Sequence, residues 1–275
     1  MKPISKTAFV CCGIRMHDAE CSRPICGDTY ARRFMEGEGE RILAIFEGVN
    51  DGGRSAAANV TRHRIIDDIL RRELQAAPDL LVIVLGAGFE SRAYRLPGGT
   101  WMELDEPQVI AFKNERLPIS ECPNALRRVS IDFSKESIEE KLAPFAGRTP
   151  VAIVVEGVLV YLEDPQIRDL LRKLRSMFPK HTLICELFTR KFCETYGRKT
   201  HEKIQDLGAT FKYAVDRPEE LFVDSGYRLA DRVSIAERAV DLGGMKVPFG
   251  IPRFFVRRLL PTAVMGYTVC VFTIG

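Results

Sequence analysis

The sequence predicts an α/β fold: a mostly parallel β-sheet with helices on its faces and a helical cap at the start of the chain. Short apolar runs alternate with amphipathic stretches through the middle of the chain, which is typical of βαβ units. A final β run at residues 267–274 follows a glycine turn and is expected to enter the sheet as an antiparallel strand.

Helices and strands can be placed in order along the chain. Helical patterning marks residues 4–16, 27–47 and 59–75, and Pro78 ends the last of these helices. Apolar runs predict strands at residues 80–85, 100–104, 129–131, 151–155 and 182–187. Helical stretches separate them at residues 108–117, 135–143 and 165–177.

The last third is less regular, with helical patterning at residues 188–215 and 218–225 and a strand-like run from residue 227. Because no repeat, low-complexity tract or Gly/Ser linker interrupts the chain, one domain over residues 1–275 is expected. Its expected parts are an N-terminal helical cap (1–75), a cofactor-binding core (76–187), a lid with substrate-binding insertions (188–260) and the final strand (261–275). Prolines and glycines in residues 243–261 suggest that this run is a mobile lid.

Charge and hydropathy argue against several classes of protein. Forty basic and 37 acidic residues leave a net charge of +3, and the basic pairs are scattered, so neither a nucleic-acid nor a membrane partner is predicted. No segment approaches the run of about 20 apolar residues that spans a membrane. The first residues do not resemble a signal peptide. The expectation is a soluble, cytoplasmic protein with a small-molecule substrate, and the oligomeric state is left open.

The sequence contains eight cysteines, a residue type that can form disulfides or bind a metal ion. A long chain without an export signal favours reduced thiols. Cys21 and Cys26, with Cys12 and His17, only loosely imitate the spacing of a zinc site. Apolar packing of Cys11 and Cys12 on a helix is the favoured interpretation, and no metal is predicted.

The run LVIVLGAGFESRAYRL, residues 81–96, is the strongest candidate for a cofactor turn. Gly86 and Gly88 follow a strand, where glycines permit a tight turn and the close approach of a ligand. A dinucleotide site usually has a third small residue in the turn, but here that position is Ser91 and bulky side chains follow it. The negative charge of Glu90 would also repel a phosphate. The turn therefore favours a ligand without phosphates.

Acidic residues end three successive predicted strands. Asp105 ends the second strand, where a carboxylate can accept hydrogen bonds from both ribose hydroxyls. Asp132 follows the third strand and can accept from an adenine amine while Phe133 lies against the ring. Glu156 ends the fourth strand. A single loop carboxylate is usually solvated or caps a helix, but three at one sheet edge favour a binding site.

Several separated phrases, in order, resemble one family. They are SKTA, GDTYARRF, LGAGFESRAYRL, ELDEPQVIAFKNERL and VVEGVLVYLEDPQIRDLLRKL, between about residues 6 and 187. They resemble the leucine carboxyl methyltransferase and polyketide O-methyltransferase family of class I S-adenosylmethionine (SAM)-dependent enzymes. The resemblance implies a Rossmann-like methyltransferase sheet, SAM as cofactor and S-adenosylhomocysteine (SAH) as product.

The resemblance also assigns roles to single residues. It implies that Lys6 and Arg62 hold the methionine carboxylate of the cofactor, an anion that wants charged donors, with Arg64 a rival to Arg62. Where the family usually has Asp-Thr, this chain has Glu90-Ser91, a conservative change that lengthens the acidic side chain by one methylene. By the same resemblance, Gly86 and Gly88 form the cofactor turn and Asp105 is the acid that binds the ribose. Asp132 and Phe133 contact the adenine, and Glu156 is the acid of the fourth strand.

The implied activity is O-methylation of a carboxylate or hydroxyl of a hydrophobic small molecule, polyketide-like or another secondary metabolite. The variable cap and lid are rich in aromatic residues, which suit such a substrate. Predicted substrate contacts are Tyr161, Tyr196 and Tyr213.

The acceptor group depends on whether the site holds a general base. A hydroxyl acceptor needs one, and the candidates are His181, His201, Tyr161 and Glu186. None is persuasive from the sequence alone, which slightly favours a carboxylate or an acidic phenol. The alternatives for the whole protein are an NAD-type oxidoreductase and a non-catalytic SAM-binding scaffold.

Overall fold

The computed structural model describes residues 1–47, 52–247 and 256–274. Seven strands form one sheet: β1 (Leu81–Leu85), β2 (Thr100–Asp105), β3 (Ala125–Ser130), β4 (Val151–Val155), β5 (Thr182–Phe188), β6 (Tyr227–Ser234) and β7 (Tyr267–Ile274). Their order is β3-β2-β1-β4-β5-β7-β6. The neighbours from β3 to β5 pair in parallel, and β7 runs antiparallel to both β5 and β6. The predicted sheet with an antiparallel terminal strand is confirmed.

Thirteen helices are found in the described residues. They are α1 (Pro3–Ala19), α2 (Glu38–Glu47), α3 (Arg54–Ala76), α4 (Arg92–Arg95), α5 (Pro107–Arg116), α6 (Ile138–Leu142), α7 (Asp164–Met177), α8 (Arg190–Phe192), α9 (Arg198–Asp206), α10 (Glu220–Asp224), α11 (Ile235–Asp241), α12 (Val256–Leu259) and α13 (Pro261–Met265). No helix of the described residues is long and apolar enough to cross a lipid bilayer.

Strand β1 lies at the centre of the sheet and is apolar on both faces. Its LVIVL sequence is buried throughout, because helices cover both sides of a parallel sheet. Val82 and Val84 pack on the face covered by the cap, whereas Ile83 packs on the opposite face. Leu85 is level with Leu104 of β2 and with Val155 of β4, so the carboxyl ends of the three strands share one edge.

The N-terminal cap rests on the turn that follows β1. The ring of Phe9 on α1 lies 4.7 Å from that of Phe89, which Phe34 also stacks against at 5.1 Å. Phe112 on α5 closes the cluster, 5.3 Å from Phe89. All but Phe112 are fully or almost fully buried. This aromatic cluster fixes the cap over the carboxyl edge of the sheet.

Some predicted elements differ in detail. Residues 27–47 form a 3-10 turn at Ala31–Phe34 and then α2, not one helix. Strand β3 begins at Ala125, before the predicted residue 129, because its ALRRVS sequence is a half-exposed, polar edge strand without an apolar run. The predicted helix at 188–215 ends with α9 at residue 206. Residues 248–255 of the predicted lid, including Phe249, Phe254 and Phe255, lie outside the described residues.

Candidate active site

A cavity of about 1860 Å³ opens at the carboxyl edge of the sheet. Its floor is formed by the turn after β1 and by the ends of β2, β4 and β5. Cap helices α1 and α3 supply one wall, and residues of α8, α9 and α11 supply others. Ligands of open α/β sheets bind in this crevice outside the strand ends.

The glycine turn is shaped for close approach. Gly86 and Gly88 both line the cavity with positive φ angles of 67° and 48°, which favour glycine. A Cβ atom on Gly86 would lie 2.3 Å from Val158 Cγ2, and one on Gly88 would lie 3.3 Å from Ala8 Cβ. The space beside the turn therefore exists because two side chains are absent.

Asp105 pins this turn from the end of β2. Its Oδ2 accepts a hydrogen bond of 2.6 Å from the amide of Gly88, and its Oδ1 accepts one of 2.7 Å from the amide of Glu106. Burial raises the pKa of Asp105 to about 6, although both amide bonds oppose the shift. Each carboxylate oxygen retains a further lone pair. The residue can hold the turn and still accept a hydrogen bond from a ligand in the cavity.

The structure places one of the two predicted adenine-binding residues at the cavity. Phe133 lines the cavity and is 45% exposed, whereas Asp132 is not among the lining residues. Hydrogen bonds from Ser134 and Lys2 hold the pKa of Asp132 below its usual value. Lys2 Nζ lies 3.0 Å from Asp132 Oδ1 and 2.7 Å from Glu106 Oε2. Sequence reasoning missed Lys2, which joins the cap to two strand ends and has no distinguishing motif.

Of the three predicted cations, the structure brings only Arg62 to the cavity wall. Arg64 lies two residues further along α3 and bonds Asp68 Oδ1 at 2.8 Å instead. Lys6 on α1 is half-buried and does not line the cavity. The choice left open between Arg62 and Arg64 thus falls to Arg62 on placement.

The guanidinium of Arg62 has two strong partners. Its Nε donates to Glu156 Oε1 at 2.8 Å, and its Nη1 donates to the Tyr267 hydroxyl at 2.9 Å. Among the described residues, its Nη2 makes only a long contact of 4.0 Å, to Cys11 Sγ. This nitrogen is the part of Arg62 that can still donate to a ligand.

Both carboxylate oxygens of Glu156 are paired with arginines. Its Oε2 lies 2.7 Å from Arg92 Nη2, and its Oε1 is held by Arg62. Although burial disfavours the charged carboxylate, Arg92 and Arg62 hold the pKa of Glu156 well below its usual value. Arg92 is fully buried and also bonds Asp67 of α3 at 2.7 Å. Sequence reasoning treated Arg92 only as a bulky residue, because a buried arginine has no pattern of its own.

Glu186, two residues before the end of β5, differs from Asp105 and Glu156. Its side chain lines the cavity and is 4% exposed. Oε1 accepts a 2.7 Å hydrogen bond from the amide of Gly157, and Arg62 Nη1 lies 3.9 Å away. Oε2 has no hydrogen-bond partner among the described residues. Burial raises the pKa of Glu186 to about 7, against the opposing charge of Arg62.

Two of the three predicted substrate tyrosines lie at the cavity. Tyr161 and Tyr196 line it, with their rings 5.7 Å from Phe211 and 5.5 Å from Phe192, respectively. Burial raises the pKa of Tyr161 to about 12, so its hydroxyl stays protonated near neutral pH. Tyr213 is packed in the apolar core and donates to the carbonyl of Pro218 at 3.0 Å. That placement argues against a substrate contact.

The two histidines considered as bases do not line the cavity. His181 is buried, with its ring nitrogens 2.7 Å from the Phe178 carbonyl and 3.1 Å from the Tyr227 hydroxyl. His201 stacks on Phe211 with ring centroids 4.6 Å apart. Of the four candidate bases, Tyr161 and Glu186 line the cavity, and the buried Oε2 of Glu186 has no hydrogen-bond partner among the described residues.

The sheet order and the glycine turn are those of class I SAM-dependent methyltransferases, and solved structures agree. A DUF574 family protein from Streptomyces avermitilis superposes with a TM-score of 0.58 at 10% identity, over 96% of this chain and 97% of the other. Magnesium protoporphyrin IX methyltransferase from Synechocystis PCC 6803, solved with SAH, gives 0.51 at 14% identity, over 90% and 99%. At these identities the comparison shows the fold.

Residues 8–175 match the leucine carboxyl methyltransferase family, and the chain belongs to it. A relative from Mycobacterium bovis is 32% identical over 174 residues, which are 58% of this chain and 57% of that protein. One from a Parafrankia species is 31% identical over 181 residues, 61% and 57% of the two chains. Their names provisionally assign both to the S-adenosyl-L-methionine-dependent methyltransferases. The match spans less than two thirds of the length of these relatives.

Proposed function

We propose that this protein is a SAM-dependent O-methyltransferase whose acceptor is a hydrophobic small molecule. The observation that carries the proposal is the continuity of one cavity. One end holds the glycine turn and Asp105, and the other is lined by aromatic residues such as Tyr161, Tyr196 and Phe211. A single cavity with both ends suits a transfer between two bound molecules.

The residues at the first end fit SAM. The side-chain-free turn at Gly86 and Gly88 leaves room for the amino-acid part of the cofactor, and Arg62 Nη2 can donate to its carboxylate. Asp105 would accept from the ribose, and Phe133 would lie against the adenine. Asp132 and Lys6 remain predicted contacts of adenine and carboxylate, although neither lines the cavity. Glu156 would act by holding Arg62 in place.

Bound SAM supplies a methyl group that is activated by a positive sulfur. The protein then has to bind an acceptor oxygen in line with that group and exclude water from the cavity. The aromatic end suits both tasks, because flat apolar rings orient a ligand with little loss of conformational freedom. Membership of the carboxyl methyltransferase family supports an oxygen acceptor.

Calorimetric titration of the purified protein with SAH and with NAD tests the cofactor. We expect SAH alone to bind. Binding of NAD alone would favour an oxidoreductase, and binding of neither would favour a scaffold without this cofactor. Incubation of a small-molecule extract with methyl-labelled SAM, followed by mass spectrometry, would then identify the acceptor. Label found only on nitrogen, sulfur or carbon would contradict O-methylation.

A further inference from the structure

We propose that Glu186 accepts the proton of the acceptor, so that this site methylates a hydroxyl group in preference to a carboxylate. The inference rests on the proposed function and assigns the acceptor class and one reacting residue to it. It stands on the position of Glu186 in the cavity and on the free acceptor capacity of its carboxyl group.

Glu186 lines the cavity from β5. The sheet order places β5 next to β4 and away from β1 and β2, which carry the glycine turn and Asp105. Its bond to the amide of Gly157 holds the carboxyl group against the end of β4. Phe188, two residues further along, points to the same side of the strand and lies 5.6 Å from the ring of Phe211. The carboxyl group therefore adjoins the aromatic end.

The acids at the ends of β2, β4 and β5 differ in their free capacity. Asp105 uses both oxygens for backbone amides, and Glu156 uses both for arginines. Glu186 uses one oxygen for one amide, and an ionised carboxylate can accept about four hydrogen bonds. A buried acceptor without a partner is costly, which favours a site where a ligand supplies the donor.

Glu90 is the nearest rival, because it also lines the cavity with an unpartnered oxygen. It lies beside the glycine turn, with Arg92 Nη1 at 3.4 Å and Lys113 Nζ at 3.9 Å. Burial raises the pKa of Glu90 to about 7 as well, although Lys113 and Arg92 oppose the shift. Glu90 differs from Glu186 in position, because it follows β1 at the glycine turn, whereas Glu186 lies on β5.

The electrostatic surroundings of Glu186 suit a proton acceptor. Burial raises its pKa to about 7, Arg62 opposes this shift, and the negative charge of Glu156 adds to it. A base with a pKa near the working pH is the most effective. A carboxylate acceptor would bring a like charge against an ionised Glu186, whereas a hydroxyl brings a proton donor. The titratable groups that interact electrostatically with this carboxyl group are Arg62, Glu156, Tyr161, Cys185 and Tyr267.

The transfer step balances without another reactant. The acceptor O–H bond breaks and its proton goes to the carboxylate of Glu186. The oxygen electron pair forms the new bond to the methyl carbon, and the electrons of the carbon–sulfur bond return to sulfur. The products are a methyl ether, neutral SAH and a protonated Glu186, which loses its proton to water.

Infrared difference spectra between pH 5 and pH 9 test Glu186 without cofactor or substrate. Wild type should show protonated carboxyl absorption that titrates in this range, and Glu186→Gln should lose the part contributed by Glu186, with a midpoint near 7. The absorption of Asp105 and Glu90, whose pKa values burial raises to about 6 and about 7, should remain. Glu219→Gln is the matched control, because Glu219 is also a partly buried carboxyl with an unpartnered oxygen but lies outside the cavity. Absorption of undiminished amplitude in Glu186→Gln overturns the inference. If that variant does not fold, Glu186→Asp must keep the band at a shifted midpoint, and an unshifted band is contrary.

Binding of 2-naphthol and 2-naphthoate to the SAH-loaded protein at pH 8 tests the acceptor class. Wild type should prefer the naphthol, and Glu186→Gln should reduce that preference about tenfold, since a hydrogen bond to a charged group is lost. An unchanged preference overturns the inference, as does failure of both probes to bind. If the wild-type protein does not bind SAH, the proposed function is contradicted instead. The infrared spectra would still test Glu186 in that case.

Discussion

Arg62 of cap helix α3 and Glu156 at the end of β4 form a buried ion pair, with Nε and Oε1 2.8 Å apart. Their side chains are only 10% and 11% exposed. The pair therefore couples the position of the cap to the floor of the cavity. It also fixes the guanidinium, whose Nη2 makes only a 4.0 Å contact to Cys11 Sγ among the described residues.

Replacing Arg62 is expected to lower both stability and SAH affinity. Arg62→Ala leaves part of a buried charge uncompensated, which typically costs about 3 kcal/mol in free energy of unfolding. Arg64→Ala is the matched control on the same helix, and its partly exposed pair with Asp68 should be worth less than about 1 kcal/mol. Urea unfolding at pH 7 and SAH titration measure both effects. Equal losses in the two variants would contradict the assignment of Arg62.

The glycine turn predicts a difference between two alanine variants. Gly86→Ala adds a Cβ atom 2.3 Å from Val158 Cγ2 at a φ of 67°, so it meets both backbone strain and a clash. Gly98→Ala meets only strain, at a φ of 93°, because no atom lies within 4 Å of the added Cβ. Strain alone costs about 1–2 kcal/mol. We expect a further loss of about 1–3 kcal/mol in Gly86→Ala from the clash.

Thermal or urea unfolding of the two variants measures this difference. SAH titration should show weakened binding in Gly86→Ala, whereas Gly98→Ala should bind like wild type. Indistinguishable stabilities would mean that Val158 moves aside without cost.

The sheet and the edge that carries the site were predictable because two simple rules apply to them. Strands covered on both faces are continuously apolar, as in β1 and β4, and parallel strands end at one edge. Strand β3 begins earlier than predicted because an exposed edge strand carries polar residues. Asp105 and Glu156 could be placed at this edge because each stands at the end of a predicted strand.

The state of each carboxyl group could not be predicted in the same way. Whether an oxygen is free depends on partners that are distant in sequence, such as Arg92 for Glu156. Tyr213 and Tyr196 show the same limit, since both are tyrosines of the predicted lid, residues 188–260, but only Tyr196 lines the cavity. Periodicity assigns a residue to an element, whereas its contacts depend on how the elements pack.

The two tyrosines should respond differently to substitution. Tyr196→Ala removes a cavity-lining ring that is 41% exposed, and we expect weaker binding of 2-naphthol with little loss of stability. Tyr213→Phe removes a buried hydrogen bond to Pro218, at a cost of about 1 kcal/mol, and should leave 2-naphthol binding unchanged. Fluorescence titration with 2-naphthol and urea unfolding measure these effects. Reduced probe binding in Tyr213→Phe would restore it as a substrate contact.

The affinity for SAH should depend on pH through Asp105. Its pKa is raised to about 6, and only the ionised form accepts fully from both the amides and a ribose. Affinity should therefore be full above pH 7 and fall as pH drops through 6. Asp105→Asn should bind about tenfold more weakly at pH 8, because a charged hydrogen bond is lost. Its affinity should lack the fall near pH 6.

Asp231→Asn is the control for Asp105, because Asp231 is exposed on β6 yet also accepts a backbone hydrogen bond, from the amide of Arg232. It should reproduce the wild-type profile. A fall near pH 6 that survives in Asp105→Asn would assign the titration to another group.

Glu186 should make the stability of the folded protein decrease as pH rises. Because burial raises its folded pKa from 4.5 to about 7, the charged form destabilises the fold. This cost is absent below pH 4.5, grows as pH rises, and is complete above 7. Glu186→Gln avoids the cost, since its amide oxygen can still accept from Gly157.

Urea unfolding of wild type and Glu186→Gln at pH 5 to 8 measures this cost. At pH 8 the variant should be more stable than wild type by up to about 3 kcal/mol, which is the free energy of a shift of this size. Near pH 5 the two proteins should be similar. Gly98→Ala removes no titratable group and should shift the curve equally at every pH. A Glu186→Gln curve parallel to wild type would mean that Glu186 remains ionised without cost, and a ligand donor would then not be needed to stabilise it.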